Sequence, residues 1–228
     1  MILHSHISGS GQPLVLLHGL FGSYDNLAGV ARALADKWQI ISIDLPNHGQ
    51  SPHCDDMSYA TMVAYLAATL DSLNIQNCAM LGHSLGGKLA MAFALRYPQR
   101  VSRLIVADIA PVRYDSGHQA VFAGLNAVKL TDIASRQQAD QQLAQHIIEP
   151  GVRQFLLKSL QKTEQGFSWR FNLPILAACY DALLGAPQTG DEYLKPVLFI
   201  KGADSDYILP EHRPEIMRYF PAAQAKII

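Results

Sequence analysis

Ser84 stands between Gly82 and Gly86 in the string Leu81-Gly82-His83-Ser84-Leu85-Gly86-Gly87. A serine hydroxyl becomes a useful nucleophile when the chain lifts it clear of its own backbone and a base stands beside it. Before it, Asn77-Cys78-Ala79-Met80-Leu81 reads as a short buried strand; after it, 88–95 reads as a helix of strong formers. A strand-to-helix turn that sharp crowds the two backbones together, and glycine at 82 and 86 brings no Cβ into the gap. Ser84 Oγ is left at the tip, the G-x-S-x-G arrangement of a nucleophile elbow.

Three further groups accompany it. His18-Gly19-Leu20-Phe21-Gly22 follows an apolar run at 13–17, and such a loop can aim a backbone N–H at a developing oxyanion. The donors expected are the N–H groups of Phe21 and of Leu85, the residue after the nucleophile. A polar turn, Asp44-Leu45-Pro46-Asn47-His48-Gly49-Gln50-Ser51, follows the run at 38–43. Carboxylates that could orient a base end two later runs: Asp108 after 105–107, and Asp204 and Asp206 after 200–202. In this order of groups the base comes last, yet no histidine follows His212. The terminal run 223–228 reads as the final strand, so the base is expected in chain continuing past Ile228. His18 is expected to brace its own loop, His83 to be a neighbour of the elbow rather than the base, and His4 and His6 to lie on the surface.

Together these strings resemble the α/β-hydrolase superfamily over essentially the whole chain. More narrowly, His18-Gly19-Leu20-Phe21-Gly22-Ser23, Asn47-His48-Gly49 and Asp108-Ile109-Ala110-Pro111-Val112 resemble YbfF-type bacterial esterases. That resemblance implies a serine ester hydrolase with a helical lid, acting on short-to-medium acyl esters and on acyl-CoA thioesters as a further option. It implies Asp108, on the strand before the lid, as the acid, with Ser205 assisting; Asp204 and Asp206 are the competitors. It implies no metal and no organic cofactor.

These groups need a scaffold. Apolar runs separated by helical patterns indicate a mostly parallel sheet with helices on both faces, an α/β fold. Spacing predicts helices over 26–37 and 58–73, the latter capped by Ser58. From 112 to 185 helices dominate and no core strand is evident. Ser135 and Gln138 form a capping box, 152–160 is amphipathic, and 173–184 reads as one helix entered through Pro174. Strand signal returns at 196–200. The organisation expected is a core of 1–111 and 186–228 with a helical lid of 112–185 over the strands' carboxyl ends, where such sheets bind ligands. Phe122, Leu125, Phe155 and Leu156 could line an acyl pocket or pack the lid internally. Arg113, Arg136, Arg153 and Lys158 could meet a CoA phosphate or form a solvated face.

Composition excludes several classes. A net charge of -1 gives no electrostatic case for nucleic acid, and no apolar run approaches the ~20 residues of a membrane span. Three dispersed cysteines, Cys54, Cys78 and Cys179, fit neither a disulfide framework nor a zinc site, and with no signal peptide the chain is expected to be cytoplasmic. The partner expected is a small acyl ester or thioester; composition sets no oligomeric state. Two alternatives stay open: another chemistry on the same fold (C–C hydrolysis, a lyase step or perhydrolysis), and a ligand-binding pseudoenzyme should the chain end at Ile228.

Overall fold

The computed structural model describes residues 1–187 and 192–228; the stretch 188–191 of the expected core segment 186–228 lies outside the described residues. Strands β1 (Ser5–Ser8), β2 (Gln12–Leu17), β3 (Trp38–Ile43), β4 (Cys78–His83) and β5 (Val101–Ala107) open the chain. Helices α1 (Ala28–Leu34), α2 (Tyr59–Ser72) and α3 (Leu85–Arg96) connect them. The segment after β5 carries α4 (Gln119–Ala127), α5 (Arg136–Leu143), α6 (Pro150–Leu157), the hairpin β6 (Leu160–Thr163) and β7 (Gly166–Trp169), then α7 (Leu173–Ala178) and α8 (Tyr180–Leu184). The chain returns through β8 (Val197–Lys201), α9 (Arg213–Tyr219) and β9 (Ala223–Ile227).

Seven strands form one sheet in the order β1-β3-β2-β4-β5-β8-β9. All neighbours are parallel except β1, which runs antiparallel to β3. Both faces are covered, which is why the strands read as continuous apolar runs rather than as alternating ones. Leu14 and Leu16 of β2 pack with Ala31 of α1 on one face, while Val15 and Leu17 join α2 and α3 on the other. Each such side chain is almost completely buried and contributes about 1.5–3 kcal/mol relative to exposure. Ser58 caps α2 as expected, its Oγ accepting from Thr61 N–H at 3.3 Å.

The segment between β5 and β8 departs from expectation in three places. A two-stranded antiparallel hairpin, β6–β7, stands apart from the main sheet. The helix expected over 173–184 is broken at Cys179 into α7 and α8. The Ser135 cap forms, but Gln138 Oε1 reaches back to Ala134 N–H rather than to the N–H of Ser135 itself. Among the described residues no helix is long and apolar enough to cross a membrane.

Candidate active site

The carboxyl ends of β2, β4, β5 and β8 converge. The chain runs from β2 to β3 on one side and reaches β4 on the other, so the strand order reverses between β2 and β4 and opens a crevice there. Ser84 sits in it with φ 51° and ψ −117°, a sparsely populated positive-φ conformation costing about 1–3 kcal/mol for a residue with a Cβ. The turn is held because Ser84 N–H donates to Ala107 O at 3.0 Å and Lys88 N–H to Ser84 O at 3.0 Å. A Cβ on Gly82 would lie 2.2 Å from Gly86 O, and one on Gly86 would lie 2.3 Å from Leu17 O. The glycines let the first turn of α3 rest directly on the ends of β4 and β2.

Leu85 is the first residue of α3, whose leading N–H groups have no intrahelical acceptor and carry the positive end of the helix dipole. The partner donor differs from expectation. Phe21 N–H is donated to His48 Nε2 at 3.1 Å, so it is committed to the interior. Leu20 instead lines the cavity at Ser84. The Gly19 carbonyl accepts from Gly22 N–H at 3.0 Å and from His18 Nδ1–H at 2.8 Å. With that carbonyl held inward, the trans peptide turns the Leu20 N–H the other way. Gly19 to Gly22 is thus a β-turn with φ 63° at Phe21, the position where a type II turn normally requires glycine.

Asp108, like Phe21, Asn47 and Ser84 at this end of the sheet, has a positive φ, 58°. Its N–H donates to Ile200 O at 2.8 Å, and its Oδ1 accepts from Gly202 N–H at 3.3 Å. A Cβ built on Gly202 would lie 3.4 Å from Ser205 Cβ and 3.9 Å from Asp108 Oδ1, so these three residues meet. Ser205 Oγ accepts from Tyr207 N–H at 3.2 Å and keeps its own proton to donate. Asp204 and Asp206 are exposed. His83 flanks Gly19, and His118 Nδ1 lies 2.5 Å from Tyr180 OH; among the described residues neither is hydrogen-bonded to Ser84.

A cavity of about 50 Å³ opens at Ser84, walled by Leu20, Leu85, Ile109, Tyr114, Leu183 and Tyr207. A larger one, about 740 Å³, lies between α2, the end of α3 and the 181–186 return, away from the serine. Phe122, Leu125, Phe155 and Leu156 do not wall the serine cavity: Leu125 and Leu156 are buried in the main core, and Phe122 packs edge-on against Phe21 at 5.3 Å. The cations of this segment are mostly engaged within it. Arg153 binds Asp140 and the carbonyls of Ile147 and Ile148, Arg136 the Leu160 carbonyl, and Arg113 pairs with Asp181.

The loops behind the site rest on buried polar groups. Asp44 accepts from Tyr24 N–H, Gln50 N–H and His4 Nδ1 at 2.7, 2.9 and 2.9 Å. His4 is therefore a partner of a buried carboxylate rather than a surface residue, while His6 stacks on Tyr24 with ring centroids 5.2 Å apart. His18 braces its loop as expected, accepting Leu45 N–H at Nε2, and burial pushes its imidazole down to about 4. His48 is pushed to about 3 by burial, so both rings are neutral acceptors near neutrality. Among the described residues no three His, Cys, Asp or Glu side chains gather as a metal-binding group.

The sheet order, the elbow and the crevice define an α/β hydrolase. The family profile described as "alpha/beta hydrolase fold" matches residues 12–172, and the chain belongs to that family. It is 41% identical over 220 residues to Esterase YbfF of Escherichia coli, covering 96% of this chain and 85% of that one. It is 42% identical over 226 residues to the sn-1-specific diacylglycerol lipase ABHD11 of Xenopus laevis, covering 96% and 72%. The solved structure titled "Marine microorganism esterase" superposes with a TM-score of 0.95 at 37% identity, covering 100% of this chain and 90% of that one. The likeness to YbfF-type esterases carried by three short strings thus extends along nearly the whole chain.

Proposed function

We propose that this carboxylic ester hydrolase works through Ser84 as nucleophile, with the N–H groups of Leu20 and Leu85 as the oxyanion hole. The observation that carries the proposal is the placement of Ser84: positive-φ backbone, at the head of α3, in a cavity it shares with Leu20. Ser84 Oγ attacks the acyl carbonyl as its proton passes to a histidine base. The tetrahedral oxyanion is held by the two N–H groups, and the base returns the proton to the departing alcohol. Water then repeats the sequence on the acyl-enzyme and releases the acid.

Asp108 orients the base, with Ser205 beside it. This chemistry calls for a histidine base held by Asp108. Ile228 pairs with the end of β8, its O accepting from Ala203 N–H at 2.8 Å, next to the Gly202 N–H that Asp108 receives.

The segment 112–185 acts as the lid, and the small cavity of about 50 Å³ at Ser84 favours acyl groups at the short end. The test is hydrolysis of p-nitrophenyl esters of graded acyl length by the full-length protein, with acyl-CoA thioesters in the same panel and Ser84→Ala as control. Expected are turnover of the short esters and its loss, by about 10³-fold or more, in Ser84→Ala. Turnover surviving that substitution would overturn the nucleophile.

A further inference from the structure

Phe21 is held at both of its peptide groups, from two different parts of the chain. Its N–H donates to His48 Nε2 at 3.1 Å, from the loop after β3. Its carbonyl accepts from Ser159 Oγ at 2.8 Å, from the segment between α6 and β6. Both partners are buried, His48 at 0% and Ser159 at 2% exposure. His48 is fixed in turn by its Nδ1–H on Pro46 O at 2.8 Å, which leaves Nε2 as the acceptor. Ser159 O receives Arg170 N–H at 2.8 Å, and Arg170 pairs with Asp25 at 3.1 Å. Two residues on, Asn172 N–H donates to Asn47 O at 2.9 Å. Segments 159 and 170–172 therefore form a strap fastened to the loops after β2 and β3. The phenyl ring of Phe21 lies between Phe122 and Phe171, with centroids 5.3 and 5.2 Å away.

A phenylalanine does not keep φ 63° unaided, because a Cβ in that region favours return to negative φ. We infer that Ser159, together with His48, is a positioning residue of the oxyanion hole: the lid strap holds Phe21 in its left-handed turn and so holds the adjoining Gly19–Leu20 peptide facing Ser84. The lid then contributes to the chemical step as well as to substrate choice. This rests on the oxyanion assignment proposed above.

Two readouts on the full-length protein test it, one of them independent of turnover. Hydrogen exchange of the peptide spanning 18–23 is followed in Ser159→Ala, in Ser159→Thr, which keeps a hydroxyl donor, and in the control Ser168→Ala, which loses only the hairpin's own bond from Gln161. Exchange is expected to accelerate in Ser159→Ala alone. With a short p-nitrophenyl ester, Ser159→Ala should lower kcat by about 10-fold with KM within about twofold, and weaken an alkyl boronic acid by a similar factor. Ser159→Thr should restore most of both. Unchanged exchange at 18–23 in Ser159→Ala overturns the inference, as does a raised KM at constant kcat. An equal loss in Ser159→Thr would likewise reduce Ser159 to packing. If the wild-type protein turns over no ester, the esterase proposal fails while the exchange result still decides the role of Ser159.

Discussion

Lys88 Nζ, one helical turn beyond Ser84, donates to Leu184 O at 2.7 Å. It also donates to Gly185 O at 2.7 Å and lies 4.8 Å from the Tyr114 ring centroid, at 2% exposure. Burial draws its ammonium down to about 7, with Arg113 adding to the effect. Tyr59 OH donates to Leu183 O beside it. The end of α8 is thus clamped to α2 and α3, and the walls Leu183 and Leu184 are fixed next to Ser84. Lys88→Met keeps the stem but takes the ammonium donor from Gly185 O and leaves Leu184 O with the N–H of Tyr114 alone. It should cost about 2 kcal/mol or more, read as a lower urea midpoint at constant m. An unchanged midpoint would show that the clamp is supplied elsewhere.

The glycines divide sharply. Gly86→Ala places a Cβ 2.3 Å from Leu17 O, backbone that cannot give way. A loss of about 3 kcal/mol or more, or no folded protein, is expected. Gly29 is exposed in α1 with nothing within 4 Å of its Cβ position, so Gly29→Ala should stabilise by about 0.5–1 kcal/mol. Thermal melts of the two variants side by side check both signs.

Asp108→Asn should lower kcat by on the order of 10³–10⁴-fold, as loss of the orienting acid does in serine hydrolases. Asp204→Asn and Asp206→Asn, at exposed positions, should stay within about twofold of wild type. Steady-state kinetics on one short ester separates them. A crippled Asp204 or Asp206 variant would move the acid to the loop after β8.

Acid sensitivity follows from His18 and His48. Folded values near 4 and 3 lie below the unfolded value of about 6.5, so below pH 6.5 the unfolded chain takes up protons that the folded chain refuses. The contribution of these two histidines should be constant above pH 7 and fall as pH drops from about 6.5 toward 4, by about 1.4 kcal/mol per pH unit for each. Unfolding midpoints across that range measure it. His48→Gln, which retains an acceptor for Phe21 N–H, should remove about half the slope; an undiminished slope would exclude His48.

The elbow was legible because its requirement is local: two glycines, a serine, an apolar strand and a helix of strong formers. That Phe21 N–H is spent inside the protein was not legible, since its acceptor, His48, lies 27 residues away. His4 looked like a surface residue of an edge strand because Asp44 reaches it only through folding. The β6–β7 hairpin was missed for lack of alternation: after Leu160, the β6 residues are exposed. The break at Cys179 left no proline or glycine to mark it. The bonds of Phe21 and His4 depend on partners distant in sequence, whereas the hairpin and the break at Cys179 lack a local signal.

The pairing of Leu17 with Gly82 in the β2–β4 ladder has a consequence of its own. Two residues past Gly82 comes Ser84, the proposed nucleophile, and three past Leu17 comes Leu20, the proposed oxyanion donor. Adjacent strands are separated by about 4.8 Å, so the ladder acts as the coarse adjustment between attacking atom and anion site. The strap at Ser159 is the fine adjustment. A slip of one residue in that ladder would abolish catalysis at once, whereas changes in the strap can only grade it. Such a division lets a lid diverge in small steps while the reaction centre stays in gauge.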